Sequence, residues 1–359
     1  MSKIYEIFGH DAHSMTMALM ERANVIAQIP QGGSVALKPN LVVADDPESG
    51  ATTHAGVLSG CIAYLQAHGV QDISVIEGSW VGDATMRAMK VCGYDAVCAA
   101  YQVPFYDLKK DDTVAVKTPL RTMQICRRAK EADYLINLPV LKGHCQTVMT
   151  CALKNCKGCI PDSEKRLFHA QGLFAPIAAL GATLRPQLTI VDSICGDLNF
   201  EEGGTPIHTN RMYLGFDPVQ IDSYGCQLMG IPLEDVPYIG MAEEWGGGST
   251  QVCAEDIVAL NAPQQGDIYP EPTGLVRKLT RGVQASAACS ACYAALVRAL
   301  YSSQDASLDC PIYIGQDFRG KTLDGFGVGA CCAGASCAVG GCPPSAQEIA
   351  QAICTYTDK

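Results

Sequence analysis

Short runs of β-branched and other apolar residues alternate with amphipathic stretches through the first two thirds of the chain. Residues 55–69 (AGVLSGCIAYLQAHG) have the spacing of a helix that ends at Gly69. Strands that alternate with helices are typical of a parallel sheet with crossover helices. The pattern therefore predicts an α/β domain over residues 1–262, with strands near residues 34–43, 72–80, 133–141, 187–194 and 211–218.

The pattern changes near residue 262. The segment NAPQQGDIYPEPTG is rich in Pro, Gly and Gln and has little periodicity, so we expect a linker, placed at residues 263–280. Beyond it, the sequence predicts a helix over 283–302, a strand over 311–318 and a helix over 345–357. Residues 281–359 are therefore expected to form a small α/β module.

Composition excludes several classes of protein. Hydrophobic residues make up 48% of the 359 residues and charged ones 18%, which excludes a disordered chain. The longest apolar stretch, near Leu173–Leu184, contains Pro176 and is too short to span a bilayer, and the N-terminus lacks the pattern of a secretion signal. The net charge of -11 opposes nucleic-acid binding. We expect a soluble, cytoplasmic protein with neither a membrane nor a nucleic acid as partner.

Nineteen cysteines exceed what packing requires. A reducing compartment would not maintain them as disulfides, so metal ligation is the leading interpretation. The alternative is that many are small buried hydrophobic side chains, which we expect for most of those in the first domain.

The densest group of cysteines lies at the C-terminal end. Cys289 and Cys292 are one helical turn apart, and GFGVGACCAGASCAVGGCPPS supplies four more in a glycine-rich loop. Glycine has no side chain, so the backbone N–H groups of this loop can approach cluster sulfurs. Pro343 and Pro344 fix the backbone after the last cysteine. Zinc ribbons usually present two paired knuckles, whereas here the second half is split. A 4Fe–4S cluster is therefore favoured over zinc.

This C-terminal arrangement resembles the proximal-cluster motif of nickel-iron hydrogenase small subunits. The shared elements are Cys-x-x-Cys, Gly-x-Cys and Gly-Cys-Pro-Pro. The resemblance implies four cluster ligands, and either Cys332 or Cys337 could replace the third of them or be a bystander. The implied ligands are Cys289, Cys292, Cys331 and Cys342.

A second polar set follows the strands of the first domain. If the strand near 133–141 ends at the ligand crevice of the sheet, Lys142 and His144 project there and Lys154 joins them from the next helix. These three are the candidate catalytic residues, and a small anionic ligand is implied. A solvated basic surface and structural ion pairs are the alternatives. The candidate binding residues are Lys38, Asn40, Asn155, His169 and Glu202.

Several segments of the first domain, including KPNLVV, LPVLKGH, ALKNCKGCIP and GFDPVQIDS, resemble the domain of unknown function 362 family. The resemblance covers nearly the whole chain and implies an iron-sulfur cluster where the Gly-Cys-Pro-Pro tail is present, but no settled reaction. The first domain also has a distant likeness to the N-terminal half of lactate racemases, whose nickel-pincer cofactor suggests a non-redox alternative.

Three further cysteines, Cys156, Cys159 and Cys195, could hold a second metal centre, but packing is the favoured explanation because their spacing fits no standard ligand framework. The leading functional hypothesis is an oxidoreductase in which the cluster passes electrons to the small anionic ligand, with a redox protein as a partner. The alternatives are a racemase, isomerase or lyase with a structural cluster, and a non-catalytic electron carrier.

Overall fold

The structure is a computed structural model that describes residues 2–270, 274–303 and 308–357, and it divides into two compact units. The first unit runs to Lys165 and resumes at Phe174. The second comprises Arg166–Leu173 and the described residues from Gly274 onward. The short segment that groups with the second unit has no counterpart in the expected domain division.

The first unit is built on an eight-stranded sheet. Its spatial order is β12-β1-β11-β10-β7-β2-β3-β4. Two small antiparallel pairs, β5 with β6 and β8 with β9, accompany it. The strands are β1 Ile4–Phe8, β2 Val35–Pro39, β3 Ile73–Glu77, β4 Phe105–Asp107, β5 Thr113–Lys117, β6 Thr122–Cys126, β7 Tyr134–Leu138, β8 Lys142–His144, β9 Val148–Thr150, β10 Leu188–Asp197, β11 Pro206–Gly215 and β12 Ile257–Ala259.

The sheet is parallel apart from β11, which runs antiparallel to both of its neighbours, β10 and β1. The reason is the connection: residues 198–205 join β10 to β11 directly, and a connection this short cannot carry the crossover that a parallel pair needs. The expected mixed α/β architecture with a mainly parallel sheet is confirmed. The loop 198–205 lies at the carboxyl end of β10, where such sheets bind ligands.

Helices surround this sheet, and α2 begins and ends close to its predicted bounds, with Gly69 in the left-handed conformation just beyond it. Buried apolar side chains of β2, β3, β7 and β10 pack against α1 and α2 to form the core. The helices that begin in the first unit are α1 Ala12–Arg22, α2 Ala55–Ala67, α3 Thr85–Val91, α4 Tyr94–Tyr101, α5 Arg127–Glu131, α6 Ala152–Asn155, α7 Asp162–Gln171, α8 Phe174–Leu184, α9 Pro218–Leu228 and α10 Pro237–Glu244.

The second unit contains a four-stranded, fully parallel sheet in the order β13-β14-β15-β16. The predicted helix over 283–302 begins later than expected, because a strand and a turn with Ala287 at φ 51° precede it. A short helix, α11, lies inside the expected linker. The elements are α11 Leu275–Leu279, β13 Val283–Ala285, α12 Ser290–Ser302, β14 Ile312–Ile314, β15 Leu323–Val328, β16 Ala335–Val339 and α13 Ala346–Thr357.

Across the described ranges, no helix is both long enough and apolar enough to cross a membrane.

Candidate functional site

The second unit brings four of its cysteines to one edge of its sheet. Cys289 lies between β13 and α12, and Cys292 lies in the first turn of that helix. Cys331 is in the turn after β15, and Cys342 follows β16. Because all four strands are parallel, their carboxyl ends meet at a common edge. We call these four residues the thiol cluster.

The thiols of the cluster lie close enough to Cys292 to affect its proton affinity. Burial is the largest cause of the raised pKa of Cys292, about 12, and the neighbouring thiols Cys289, Cys342 and Cys331 raise it further. Neighbouring thiolates repel one another, and a bound metal offsets that repulsion because it binds the deprotonated form. The four cysteines are therefore expected to be protonated when no metal is bound and deprotonated when a metal is bound.

Two side chains that the sequence analysis did not single out contact these sulfurs. Gln316 Nε2 donates to Cys289 Sγ at 3.6 Å, and Arg319 Nη2 donates to Cys331 Sγ at 3.4 Å. Both donors follow β14, the third strand end at the same edge. N–H donors stabilise negative charge on a ligand sulfur and shift the potential of a cluster bound to it.

The backbone around Gly329 leaves room beside the thiol cluster. Gly329 has φ 85°, and a Cβ added there would lie 3.6 Å from Cys292 Sγ. Its N–H donates to the Val339 carbonyl at 2.9 Å, while the N–H of Ala330 donates to Gly341 at 2.8 Å. These two bonds tie the loop after β15 to the loop after β16, and so hold Cys331 and the Cys342 segment in register.

The two cysteines that the sequence left as alternatives occupy different surroundings. Cys332 is buried and its Sγ contacts the Gly315 carbonyl, although it is still close enough to raise the pKa of Cys292. Cys337 lies on β16 and packs against the apolar core of the unit, where its neighbours include Cys310 and Tyr356. Of the two, only Cys332 adjoins the thiol cluster.

Among the described residues, no three sulfurs of the thiol cluster are as close together as the ligands of a single tetrahedral ion. A zinc ion bonded to sulfur at about 2.3 Å holds tetrahedral ligand atoms roughly 4 Å apart. All nineteen cysteines lie in the described part of the chain, and none of the thiol cluster belongs to a set of three ligand atoms within 4.8 Å of one another. A 4Fe–4S cluster bonds each cysteine to a different iron, so it accepts wider spacing.

In the first unit, Lys38 is part of a buried ion pair. Its Nζ lies 2.8 Å from Glu77 Oε2 and donates to Asn155 Oδ1 at 3.1 Å. Asn155 in turn donates to Asn137 Oδ1 at 2.8 Å. The expectation was that Lys38 and Asn155 face a ligand. The structure instead places them in an internal network, because Glu77 at the end of β3 supplies the anion.

A second network gathers Lys142, His144 and Lys154 around Glu201 of the loop 198–205. Lys154 Nζ donates to Glu201 Oε2 at 3.0 Å, and His144 Nε2 lies 2.6 Å from the same oxygen, although its N–H does not point along that line. Lys142 Nζ donates to the carbonyls of Glu201, at 2.6 Å, and Ala51. Glu201 Oε1 is buried and has no hydrogen-bond partner within the described ranges.

Burial dominates the proton affinities of this network. It lowers the pKa of Lys142 to about 7 and that of His144 to about 4, although Glu201 opposes both shifts. For Glu201, burial acts to raise the pKa, but the cationic neighbours, including Lys154, outweigh it and hold the pKa well below its usual range. His144 Nδ1 accepts backbone N–H bonds from residues 146 and 147, so the neutral ring carries its proton on Nε2. The set combines a fixed carboxylate with one group, the Lys142 ammonium, that can exchange a proton near neutral pH.

The remaining predicted binding residues are dispersed. Asn40 is buried after β2, where its backbone N–H donates to Thr53 Oγ1 at 2.9 Å. Glu202 is half-buried on the loop beside Lys142 and acts to raise the pKa of that lysine. His169 lies on α7, in the segment that groups with the second unit.

The cysteines proposed as a second metal centre lie in two different environments. Cys156 and Cys159 are buried in a short 3-10 turn near Lys38, and burial raises the pKa of both. Cys195 lies on β10 beside Glu48 and His208. Sequence reasoning missed Glu48 and His208 as neighbours of Cys195 because nothing in their spacing along the chain signals the contact.

His54, at the start of α2, joins Glu48 to the sheet and was also missed. Its Nδ1 lies 2.7 Å from Asp192 Oδ2, and its Nε2 lies 3.2 Å from Glu48 Oε1. The Asp192 carboxylate raises the pKa of His54 to about 9, against the opposing effect of burial, so the ring is cationic at neutral pH. This chain of contacts fixes the Glu48 carboxylate at the carboxyl edge of the sheet.

Comparisons with known proteins place these features in context. The family described as Domain of unknown function (DUF362) matches residues 35–227, which covers β2 to most of α9 and ends before the thiol cluster. Thylakoid-associated protein sll1697 of Synechocystis sp. is 25% identical over 251 residues, 66% of this chain and 75% of that protein. The lactate racemase apoprotein from Thermoanaerobacterium thermosaccharolyticum aligns over 63% of this chain and 56% of its own, with 11% identity and a TM-score of 0.43.

Proposed function

This chain belongs to the family described as Domain of unknown function (DUF362), and from that premise we propose that its second unit binds a 4Fe–4S cluster through the thiol cluster. The protein is then an electron-transfer protein of a reducing compartment. The observation that supports the proposal is that the four thiols of the thiol cluster lie together at the carboxyl edge of the parallel sheet of the second unit. Cysteine thiolates are the usual ligands of such clusters.

Each residue at this edge has a distinct part in the proposal. A bound cluster supplies one-electron chemistry. Cys292 binds from the buried side, and the open backbone at Gly329 leaves room beside its sulfur. Gln316 and Arg319 hold two of the ligand sulfurs with N–H donors and so raise the potential relative to a site without them.

Replacement of single cysteines in the full-length chain, purified without oxygen, tests this assignment. Cys292→Ala and Cys342→Ala should each lose most of the iron and the visible absorption, whereas wild type retains about four irons per chain. Cys337→Ala is the matched control, since its side chain packs in the core of the same unit. Full iron in Cys292→Ala, or loss of iron only in Cys337→Ala, would contradict the ligand assignment.

We further propose that the electrons serve a small anionic ligand at the Glu201 network of the first unit, with a redox protein as their source. Lys154 and His144 already hold one carboxylate, that of Glu201. A carboxylate or phosphate ligand would take its place as the loop 198–205 moves. Inorganic phosphate and malonate are suitable probes. Lys142→Met and His144→Gln should weaken the binding of both probes. Unchanged binding in both variants would contradict a ligand site at the Glu201 network.

One observation favours a second candidate, a non-redox proton-transfer enzyme with a structural cluster. Lys142, with its pKa lowered to about 7 by burial, can give and take a proton near neutral pH beside a fixed carboxylate. A redox titration during turnover separates the two candidates. Turnover without an electron donor, while the cluster keeps one oxidation state, would support the proton-transfer hypothesis. Loss of turnover without a donor would support the electron-transfer hypothesis.

A further inference from the structure

Three side chains of different chemistry, none of them a member of the Glu201 network, converge at the carboxyl end of β10. They are Glu48, Cys195 and His208, and one ligand atom of each lies within 4.8 Å of the others. We propose that these three residues bind a divalent transition-metal ion of the zinc class at a solvent-open site. The site lies entirely in the first unit, so it does not depend on the proposed cluster.

Strand register creates the thiol–imidazole pair. Cys195 on β10 and His208 on β11 are direct cross-strand partners, and Cys195 Sγ lies 3.9 Å from His208 Nε2. A bulge between Ser193 and Cys195 interrupts the ladder just before this pair. Bulges re-aim side chains and are common beside functional sites. Here the bulge sets which residues of β10 face His208.

The carboxylate arrives from the loop that follows β2. Gly50, with φ 79°, lets this loop lie against β10, because a Cβ at that position would meet the Gly196 carbonyl. The Cys195 thiol consequently donates to the Glu48 carbonyl at 3.3 Å. Glu48 Oε2 then lies 3.7 Å from His208 Nδ1. The third ligand is therefore held in place by backbone contact.

Contacts behind the site orient the carboxylate further. His54 Nε2 faces Glu48 Oε1 at 3.2 Å, and Asp192, at the centre of the sheet, holds the other ring nitrogen of His54 at 2.7 Å. Metal sites commonly carry such outer-shell pairs, which fix the ring and the ligand that it contacts. His54 is thus a positioning residue for Glu48.

The ligand set selects the class of ion. Zinc bonds to sulfur at about 2.3 Å and to nitrogen at about 2.0–2.1 Å, which puts neighbouring ligand atoms about 3.5 Å apart, close to the separations at this site. A single ion uses only one of the two His208 ring nitrogens, and for that choice the three ligand atoms lie within 4.8 Å of one another, so small side-chain rotations bring them to bonding distance. One thiolate with an imidazole suits zinc, cobalt, nickel or ferrous iron rather than magnesium or calcium. Glu48 and His208 side chains are 63% and 53% exposed, so a fourth position is open to water or a substrate.

Zinc binding to the full-length, cluster-loaded protein tests the proposal. Equilibrium dialysis with metal analysis should give about one zinc per chain in addition to iron. Cys195→Ser and His208→Gln should each weaken zinc binding about tenfold or more. Cys253→Ser and His68→Gln, in the same unit but outside the site, are the matched controls and should bind zinc as wild type does.

X-ray absorption at the zinc edge identifies where the metal sits. One sulfur together with nitrogen and oxygen neighbours is expected, and the sulfur should disappear in Cys195→Ser. Equal zinc affinity in wild type and both variants, or a zinc ion bound by sulfurs alone, would overturn the site. If Cys195→Ser does not fold, His208→Gln alone tests the site, because the His208 side chain is exposed and its replacement leaves the core intact.

Discussion

The Glu201 network allows a quantitative prediction for Glu201→Gln. The substitution keeps the shape of the side chain and removes the only carboxylate in contact with Lys154 within the described network. Lys154 and Lys142 are 7% and 1% exposed, so water cannot replace the lost anion. The variant therefore leaves the buried ammonium of Lys154 without its carboxylate partner and removes the main anion near Lys142.

The expected cost follows from the geometry. At an effective dielectric constant of about 20, opposite charges 3.0 Å apart attract by about 5 kcal/mol. Removal of one partner from a buried pair typically costs about 3–5 kcal/mol of unfolding free energy. With a urea dependence of about 3 kcal/mol per molar, the unfolding midpoint should fall by about 1 M or more.

The effect should also depend on pH. The pKa of Lys142 is lowered by burial to about 7, below its ordinary value, so the folded state binds fewer protons than the unfolded state above that pH. The contribution of Lys142 to stability therefore rises as pH increases from about 7 towards its ordinary pKa. Without Glu201 the pKa of Lys142 falls further, so the penalty of Glu201→Gln should be larger at pH 6 than at pH 9.

Urea unfolding followed by tryptophan fluorescence measures this directly, because both tryptophans, Trp80 and Trp245, lie in the first unit. Glu244→Gln, at an exposed position of the same unit, is the control and should change stability by about 0.5 kcal/mol or less. The reasoning is refuted if Glu201→Gln unfolds at the same urea concentration as this control at pH 6.

Three further predictions concern the Lys38 ion pair, the loop at Gly50 and the thiol cluster. Glu77→Gln leaves Lys38 buried without its anion and should cost about 3–5 kcal/mol of unfolding free energy; a loss below about 1 kcal/mol would contradict the ion pair. Gly50→Ala should weaken zinc binding and stability more than Gly32→Ala, since both have positive φ but only Gly50 closely approaches β10; equal losses would contradict that contact. Arg319→Met removes an N–H donor to Cys331 Sγ and should lower the midpoint potential of the cluster in an anaerobic redox titration. An unchanged potential would contradict a contact between Arg319 and a ligand sulfur.

The sequence predicted the central strands of the large sheet because they are buried, continuous apolar runs. The strands β2, β3 and β7 lie within the predicted segments, and β10 begins inside its segment but continues past residue 194 to Asp197; β1, β4 and β12 were not predicted. The antiparallel orientation of β11 was not predicted, since a run of buried apolar residues does not indicate whether a strand is parallel or antiparallel to its neighbours. The strand β13 was missed for another reason: its three residues run into the alanine-rich start of α12, and only the turn at Ala287 separates them.

Site prediction depended on how far apart the contacting residues lie in the chain. The four cysteines of the thiol cluster were grouped from their spacing and a motif resemblance, and their role as ligands stays a prediction. The lysines could be identified, but their anions could not, because Glu77 and Glu201 meet Lys38 and Lys154 only in the folded chain. The contact of Cys195 with Glu48 follows from strand register and a loop crossing, neither of which leaves a local pattern.

The central claim is that the thiol cluster holds four irons, and an anaerobic crystal structure with anomalous scattering at the iron edge tests it most directly. We predict a compact group of about four iron peaks bonded to Cys289, Cys292, Cys331 and Cys342, with none bonded to Cys337. A single peak at the zinc edge among the same sulfurs, or irons ligated elsewhere in the chain, would contradict the account.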